Sequence, residues 1–180
     1  MDFPTFETQR LKLVHIDHQY DQAYFDIMSE DKVTEYYGMD SLKKVNQASK
    51  IIDSFEDTYM KKHGIRWGII WKETRTFIGT IGLNNLSTWS KRAEIGYELH
   101  PDHWRKGIAT EAIRSVLGYS FREMGLFRMG AITFPDNVSS NNLLEKVGFK
   151  KEGILRGYLY QGDKSHDAYV FSMLRSEWLD

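Results

Sequence analysis

The chain has 180 residues, with 24 lysines and arginines against 25 aspartates and glutamates, a formal net charge of -1 and no cysteine. That length suits one domain with a sizeable core, here spanning residues 1–180. Balanced charge removes any global pull toward nucleic acid or an anionic membrane, so an anion site has to be local. The missing cysteine excludes disulfides, thiolate metal sites and a cysteine nucleophile. No basic and apolar leader opens the chain, and no apolar run approaches the roughly 18 residues of a spanning helix, so the expectation is a cytoplasmic protein.

Arg10 to Ile16 alternates as a first strand. Tyr20 to Met28 reads as a helix, and the aromatic, glycine-containing stretch from Thr34 to Leu42 as a loop. Val45, Ala48, Ile52, Phe55 and Tyr59 recur at helical spacing over Val45 to Met60. Arg66 to Lys72 and Thr76 to Leu83 form strands joined by the polar turn Glu73-Thr74-Arg75, and Arg92 to Leu99 adds another. These neighbouring hairpins make an antiparallel half-sheet.

The period then changes. Ile113, Val116, Leu117, Ser120, Phe121 and Met124 trace one face of a helix from about Ile108 to Met124, with Gly125 placed to end it in a left-handed conformation. Arg128 to Phe134 follows as a strand, so strand, helix and strand form a parallel crossover. A short helix from about Ser139 to Val147, closed by Gly148, precedes a last strand around Asp167 to Leu174. The result is a mixed α/β sheet, antiparallel first and parallel in the centre.

The segment His100 to Glu111 carries the most chemistry. A helix opens at Arg105-Lys106-Gly107-Ile108-Ala109-Thr110. Its first N–H groups lack internal partners and the macrodipole adds positive charge there. Gly107 has no Cβ to block a ligand, Ala109 is small, and Arg105 and Lys106 are cationic. These residues suit a diphosphate, although a solvated strand-to-helix turn explains them as well. Neither a P-loop pattern nor GxGxxG is present.

This segment resembles the acetyl-CoA motif of the GNAT (GCN5-related N-acetyltransferase) superfamily, Gln/Arg-x-x-Gly-x-Gly/Ala. Gly107 and Ala109 match, and Trp104 stands at the Gln/Arg position as in the RimJ/RimL-like branch. Asn137-Val138-Ser139-Ser140 followed by Leu143-Leu144-Glu145-Lys146-Val147-Gly148-Phe149 resembles that family's second motif. Thr8-Gln9-Arg10-Leu11 and Glu152 to Arg156 extend the likeness over nearly the whole chain.

The resemblance implies a sheet with helices on both faces and two central strands, Arg92–Leu99 and Arg128–Phe134, splayed around a pantetheine arm. It implies that the backbone of Leu99 holds a thioester carbonyl, that Trp104, Arg105, Lys106, Gly107, Ile108, Ala109 and Thr110 hold the pyrophosphate, and that Asn137 contacts the pantetheine. Acetyl-CoA would be the acetyl donor and an amine the acceptor, with no metal, nucleic acid or membrane involved; a homodimer stays open.

Acetyl transfer needs a neutral amine, a polarised carbonyl and a proton for the leaving thiolate. Glu94 resembles the family's base, and alternation sets it on one face with Gly96 and Glu98; pairing with Arg92 or Lys91 is the competing reading. The family's usual acid, a tyrosine, is replaced by Leu144, which leaves Ser140 as the candidate or, alternatively, as a helix cap beside Asn137. Tyr158 and Trp89 are candidate acceptor contacts, with Tyr160, Trp67 and Trp71 weighed beside them. His100 and His103 lack a third ligand at convincing spacing for a metal.

At pH 7 roughly one α-amine in ten is neutral, against about one lysine in 2,500. A peptide N-terminus therefore suits this site best, and the resemblance implies one of the ribosomal-protein type. A small amine such as a polyamine or antibiotic, and a CoA-binding module without turnover, are the competing functions.

Overall fold

A computed structural model describes residues 3–179. Within these residues eight strands form one sheet: β1 (Phe6–Glu7), β2 (Leu11–His15), β3 (Ile65–Trp71), β4 (Thr76–Ser87), β5 (Arg92–Leu99), β6 (Arg128–Thr133), β7 (Lys150–Gln161) and β8 (Lys164–Leu174). Their order across the sheet is β1-β2-β3-β4-β5-β6-β8-β7. Pairings from β1 to β5 are antiparallel, β5 and β6 are parallel, and β8 runs antiparallel to both β6 and β7. Among the described residues five α-helices join them: α1 (Asp21–Met28), α2 (Asp31–Thr34), α3 (Val45–Met60), α4 (Ile108–Arg122) and α5 (Val138–Val147). Among the described residues no helix is long and apolar enough to cross a membrane.

Alternation along β3 shows why helices cover both faces. Trp67 and Ile69 join Ile113, Val116, Leu117 and Phe121 of α4 in one core. Full burial of each such side chain contributes about 1.5–3 kcal/mol relative to exposure. Gly68, between them, faces Phe77 and Ile16 on the other side. There a second core gathers Tyr24 and Ile27 of α1 with Ala48 and Ile52 of α3.

The strand–helix–strand crossover, the long helix and the mixed sheet agree with the sequence expectation. Gly125 is left-handed, φ 65°, although α4 ends sooner, at Arg122. The periodicity gives no strand over Lys150–Gln161, and the reason is physical. Almost every residue of β7 is exposed and its register shifts twice against β8, so no alternation exists to be read. Likewise Asp31–Thr34 is a single helical turn, too short to show a period.

Candidate active site at the opened strands

β5 and β6 pair only at Arg92–Arg128, Ala93–Met129 and Glu94–Gly130. Beyond Glu94 the two strands diverge, which leaves main-chain groups of β5 facing a gap. His100 N–H donates to the Ile78 carbonyl at 2.7 Å, and Leu99 lies opposite Gly79. Alternation of the antiparallel ladder therefore turns the Leu99 N–H away from β4 and into the gap. The Leu99 carbonyl is occupied: it accepts the Trp104 indole N–H at 2.9 Å.

Two cavities meet at this gap. The larger, about 490 Å³, runs past Arg105, Gly107 and the first turn of α4 to Asn137, Ser139 and Ser140 of the α5 entrance. The smaller, about 270 Å³, is lined by Arg66, Asn84, Glu94 and Gly96 on the face covered by α1 and α3, with Thr133 and Leu144. Tyr36, Tyr37, Tyr97 and Ser140 line both.

At the α4 entrance the larger cavity offers backbone groups. Gly107 precedes α4 with φ 73°, a conformation that suits a residue without Cβ, and no side chain caps the helix. The unpaired N–H groups of the first turn can receive an anion. The turn is braced from the residues just before β2: Arg10 donates from Nη1 to the Lys106 carbonyl at 2.8 Å and from Nε to Glu111 at 2.6 Å. Glu111 also accepts the Thr8 hydroxyl and the Arg10 N–H. Burial works against its charge, yet these bonds hold its pKa below the usual carboxylate value.

Side chains build the smaller cavity. Gly82 and Gly96 lie opposite each other on β4 and β5, and an added Cβ would come within 2.8 Å of Arg66 Nε at Gly82 and 3.6 Å of its Nη2 at Gly96. The Arg66 side chain can therefore lie across both strands, donating to the Gly96 carbonyl and Asn84 Oδ1, each at 3.1 Å. Its guanidinium faces Glu98, whose side chain is only 2% exposed, with Nη1 3.8 Å from Oε2. Burial raises the Glu98 pKa; Arg66 and hydrogen bonds from Thr80 and Tyr37 offset part of the effect.

A strap over 34–39 closes this side. Gln161 Nε2 donates to the carbonyls of Thr34 and Met39 at 2.8 and 3.1 Å, and its Oε1 accepts the Gly38 N–H at 2.8 Å. Tyr36 reaches toward Phe134 beyond β6, ring centroids 6.0 Å apart. Tyr37 points back to Glu98 and to Tyr24 of α1.

Ser140 and Tyr97 share a hydrogen bond of 2.7 Å between hydroxyls, and burial pushes the Tyr97 pKa up to about 12. Asn137 caps α5 by accepting the Ser140 N–H at 3.3 Å, so Ser140 belongs to the capped first turn while its hydroxyl serves the gap.

The structure brings Leu99, Trp104, Arg105, Gly107, Ile108, Ala109, Thr110, Asn137 and Ser140 to the larger cavity and Glu94 to the smaller. Lys106 does not line either cavity; its carbonyl is held by Arg10. Glu94 accepts from Asn85 Nδ2 at 3.0 Å rather than from Arg92 or Lys91. Tyr158 and Trp89, the expected acceptor contacts, lie apart from both cavities. Trp89 is 95% exposed at the tip of the β4–β5 hairpin, Tyr158 is 53% exposed on β7, and neither lines a cavity. Tyr160 is exposed, and Trp67 is buried in the α4 core with its indole N–H on the Pro4 carbonyl. The rings of His100 and His103 lie 6.3 Å apart, and among the described residues no group of three or more His, Cys, Asp or Glu gathers for a metal.

Sequence reasoning gave no role to Tyr36, Tyr37, Arg66, Asn84 or Tyr97. It placed Glu98 on the correct face without using it. The available signal was that alternation, together with the two glycines that make room for Arg66.

A mixed sheet parted between two parallel strands, with a helix entrance at one mouth, leaves room for an elongated ligand to lie between the strands. Residues 10–150 match the family model described as an acetyltransferase (GNAT) domain. The chain is 47% identical over 173 residues to the uncharacterized N-acetyltransferase YoaA of Bacillus subtilis (strain 168), covering 96% of this chain and 98% of that relative. It thus belongs to the GNAT acetyltransferases and is an N-acetyltransferase. RimL, a ribosomal L7/L12 alpha-N-protein acetyltransferase in complex with coenzyme A, shares the fold with a TM-score of 0.84 at 17% identity, covering 95% of this chain and 98% of RimL. A spermidine N-acetyltransferase from Vibrio cholerae, in complex with CoA and spermine, matches with a TM-score of 0.82 at 18% identity, covering 94% of this chain and 98% of that protein.

Proposed function

We propose that the protein transfers the acetyl group of acetyl-CoA to the α-amine of a peptide or protein N-terminus by direct attack in a ternary complex. The observation that carries this reading is the gap itself: a main-chain donor at Leu99 lies between an anion-suited helix entrance and a side-chain cavity. The first turn of α4 with Arg105 and Gly107 takes the pyrophosphate, and Asn137 contacts the pantetheine arm. The Leu99 N–H polarises the thioester carbonyl, where a fixed dipole acts most strongly as charge develops. Ser140, paired with Tyr97, hands a proton to the leaving thiolate. Glu94, in the smaller cavity, is one carboxylate available to the incoming amine.

The structural neighbours act on two acceptor types, a protein α-amine and a polyamine. Arg66 favours the first here. A guanidinium within the acceptor cavity repels a chain of further cations, whereas a single amine can bind beside the carboxylates.

Acetyl-CoA turnover separates the readings. Peptides with a free N-terminus should be acetylated, while the same lysine-containing peptides with a blocked N-terminus and spermidine should not. Turnover of spermidine alone would replace this acceptor assignment, and tight acetyl-CoA binding without turnover of any amine would make the protein a binding module.

A further inference from the structure

The proton that the acceptor amine must lose has a route built into the fold. Glu98 follows from the same strand that supplies the Leu99 N–H, so a group near it lies close to a thioester held there. Its Oε1 accepts the Thr80 hydroxyl. Its Oε2 is shut off from solvent, stands 3.8 Å from Arg66 Nη1 and makes no hydrogen bond of normal geometry. An amine cannot reach that oxygen directly. Tyr37 lines both cavities, and its hydroxyl interacts with the Glu98 carboxyl.

We propose, building on the acetyltransferase reading above, that Tyr37 and Glu98 form a proton relay for the acceptor amine, with Tyr37 touching the amine and Glu98 acting through it. The incoming ammonium gives a proton to the Tyr37 oxygen as the Tyr37 O–H proton passes to the Glu98 carboxylate. The neutral nitrogen then forms a bond to the acetyl carbonyl carbon, and the carbon–sulfur bond breaks. The proton that nitrogen sheds after attack balances the one taken up by the CoA thiolate through the Ser140–Tyr97 hydroxyls. On product release the Glu98 proton returns to solvent, so one proton is liberated per turnover.

The surroundings suit each partner to its part. Burial, then the Glu98 charge, raise the Tyr37 pKa, so the phenol keeps a proton and acts as a conduit. Burial raises the Glu98 pKa, toward the range where a base works best. The groups facing the pair are Arg66 of β3, Thr80 of β4 and Tyr24 of α1. Arg66 and Thr80 offset part of the rise at Glu98, and Tyr24 interacts with Tyr37. Glu94, four residues earlier on β5, is bonded by Asn85 and has no such link to Tyr37.

Tyr37→Phe keeps the ring and removes only the hydroxyl, so it tests the relay with little risk to folding. With a peptide acceptor, kcat should fall about 100-fold or more, with the acetyl-CoA Kd within about threefold of wild type, since that ligand's anchors are untouched. Glu98→Gln should show the same loss, and the double variant should be no worse than either single one, because a relay broken once is fully broken. Thr80→Val, which removes a bond that lowers the Glu98 pKa, should move the acid limb of the kcat–pH profile to higher pH. Wild-type kcat in Tyr37→Phe, additive losses, or an acid limb abolished by Glu94→Gln alone would overturn the relay. If the wild type acetylates no amine, the acceptor reading falls separately. Carbon-13 NMR then decides on the relay: a Glu98 carboxyl titrating at the ordinary glutamate value, unmoved by Tyr37→Phe, overturns it.

Discussion

On one side of the gap the chain offers main chain: the Leu99 N–H, the left-handed Gly107 and the unpaired amides of the α4 entrance. On the other it offers side chains from distant parts of the sequence: Arg66, Asn84 and Glu94 from three strands, and Tyr36 and Tyr37 from the strap. Backbone can grip a common handle whatever the side chains around it. Side chains must be chosen for one partner. The donor mouth is therefore where a family signature can persist, and the acceptor mouth is where members can diverge.

The sharpest way to break this contrast is at Gly107. Gly107→Val forces a β-branched residue to φ 73° and places carbon where the anion approaches. Calorimetry should show acetyl-CoA affinity reduced by about 100-fold, or about 2.7 kcal/mol. Unchanged affinity would mean that side chains such as Arg105, not main chain, hold the donor.

A smaller effect is expected from the strap. Gln161→Ala removes three hydrogen bonds that fix residues 34–39. Steady-state kinetics should show the acceptor KM raised about five- to tenfold, the scale of losing about 1 kcal/mol of ordering, with acetyl-CoA affinity kept. A matching loss on the acetyl-CoA side would show that the two mouths are not independent.

The least change is expected where the strands are still joined. Arg128 on β6 makes a two-pronged ion pair with Glu152 on β7, at 2.7 and 2.6 Å. Hydrogen bonds from Arg128 and Ser172 lower the Glu152 pKa from 4.5 to about 2. A carboxylate with a depressed folded-state pKa stabilises the protein above its unfolded pKa and loses that contribution as pH falls through the folded one. Glu152→Gln should lower stability near pH 7 by about 1 kcal/mol or less, the pair being partly exposed. Urea titrations should show this difference closing between about pH 4.5 and pH 2.

The same contrast explains what could be read from the sequence. The α4 entrance was legible because turn, glycine and helix are contiguous, so local rules suffice. Ser140 and Asn137 were legible as one capped turn, but the Tyr97 partner was not, since it comes from 43 residues away. Tyr37 looked like an ordinary loop aromatic because its role depends on Glu98, Tyr24 and Arg66, which converge only when β3, β5 and α1 are packed. Trp89 and Tyr158 show the opposite case: large aromatics suggest a binding wall, yet these two stand in solvent, apart from both cavities.

The anchor of the strap is supplied by Gln161, more than 120 residues further along the chain than the segment it holds. During synthesis, which proceeds from the N-terminus, the helix entrance exists well before this wall can be fastened. The segment that forms the donor grip is thus made early, but the core behind it waits for Phe171 and Met173 of β8, so both mouths are completed only when the C-terminal hairpin arrives.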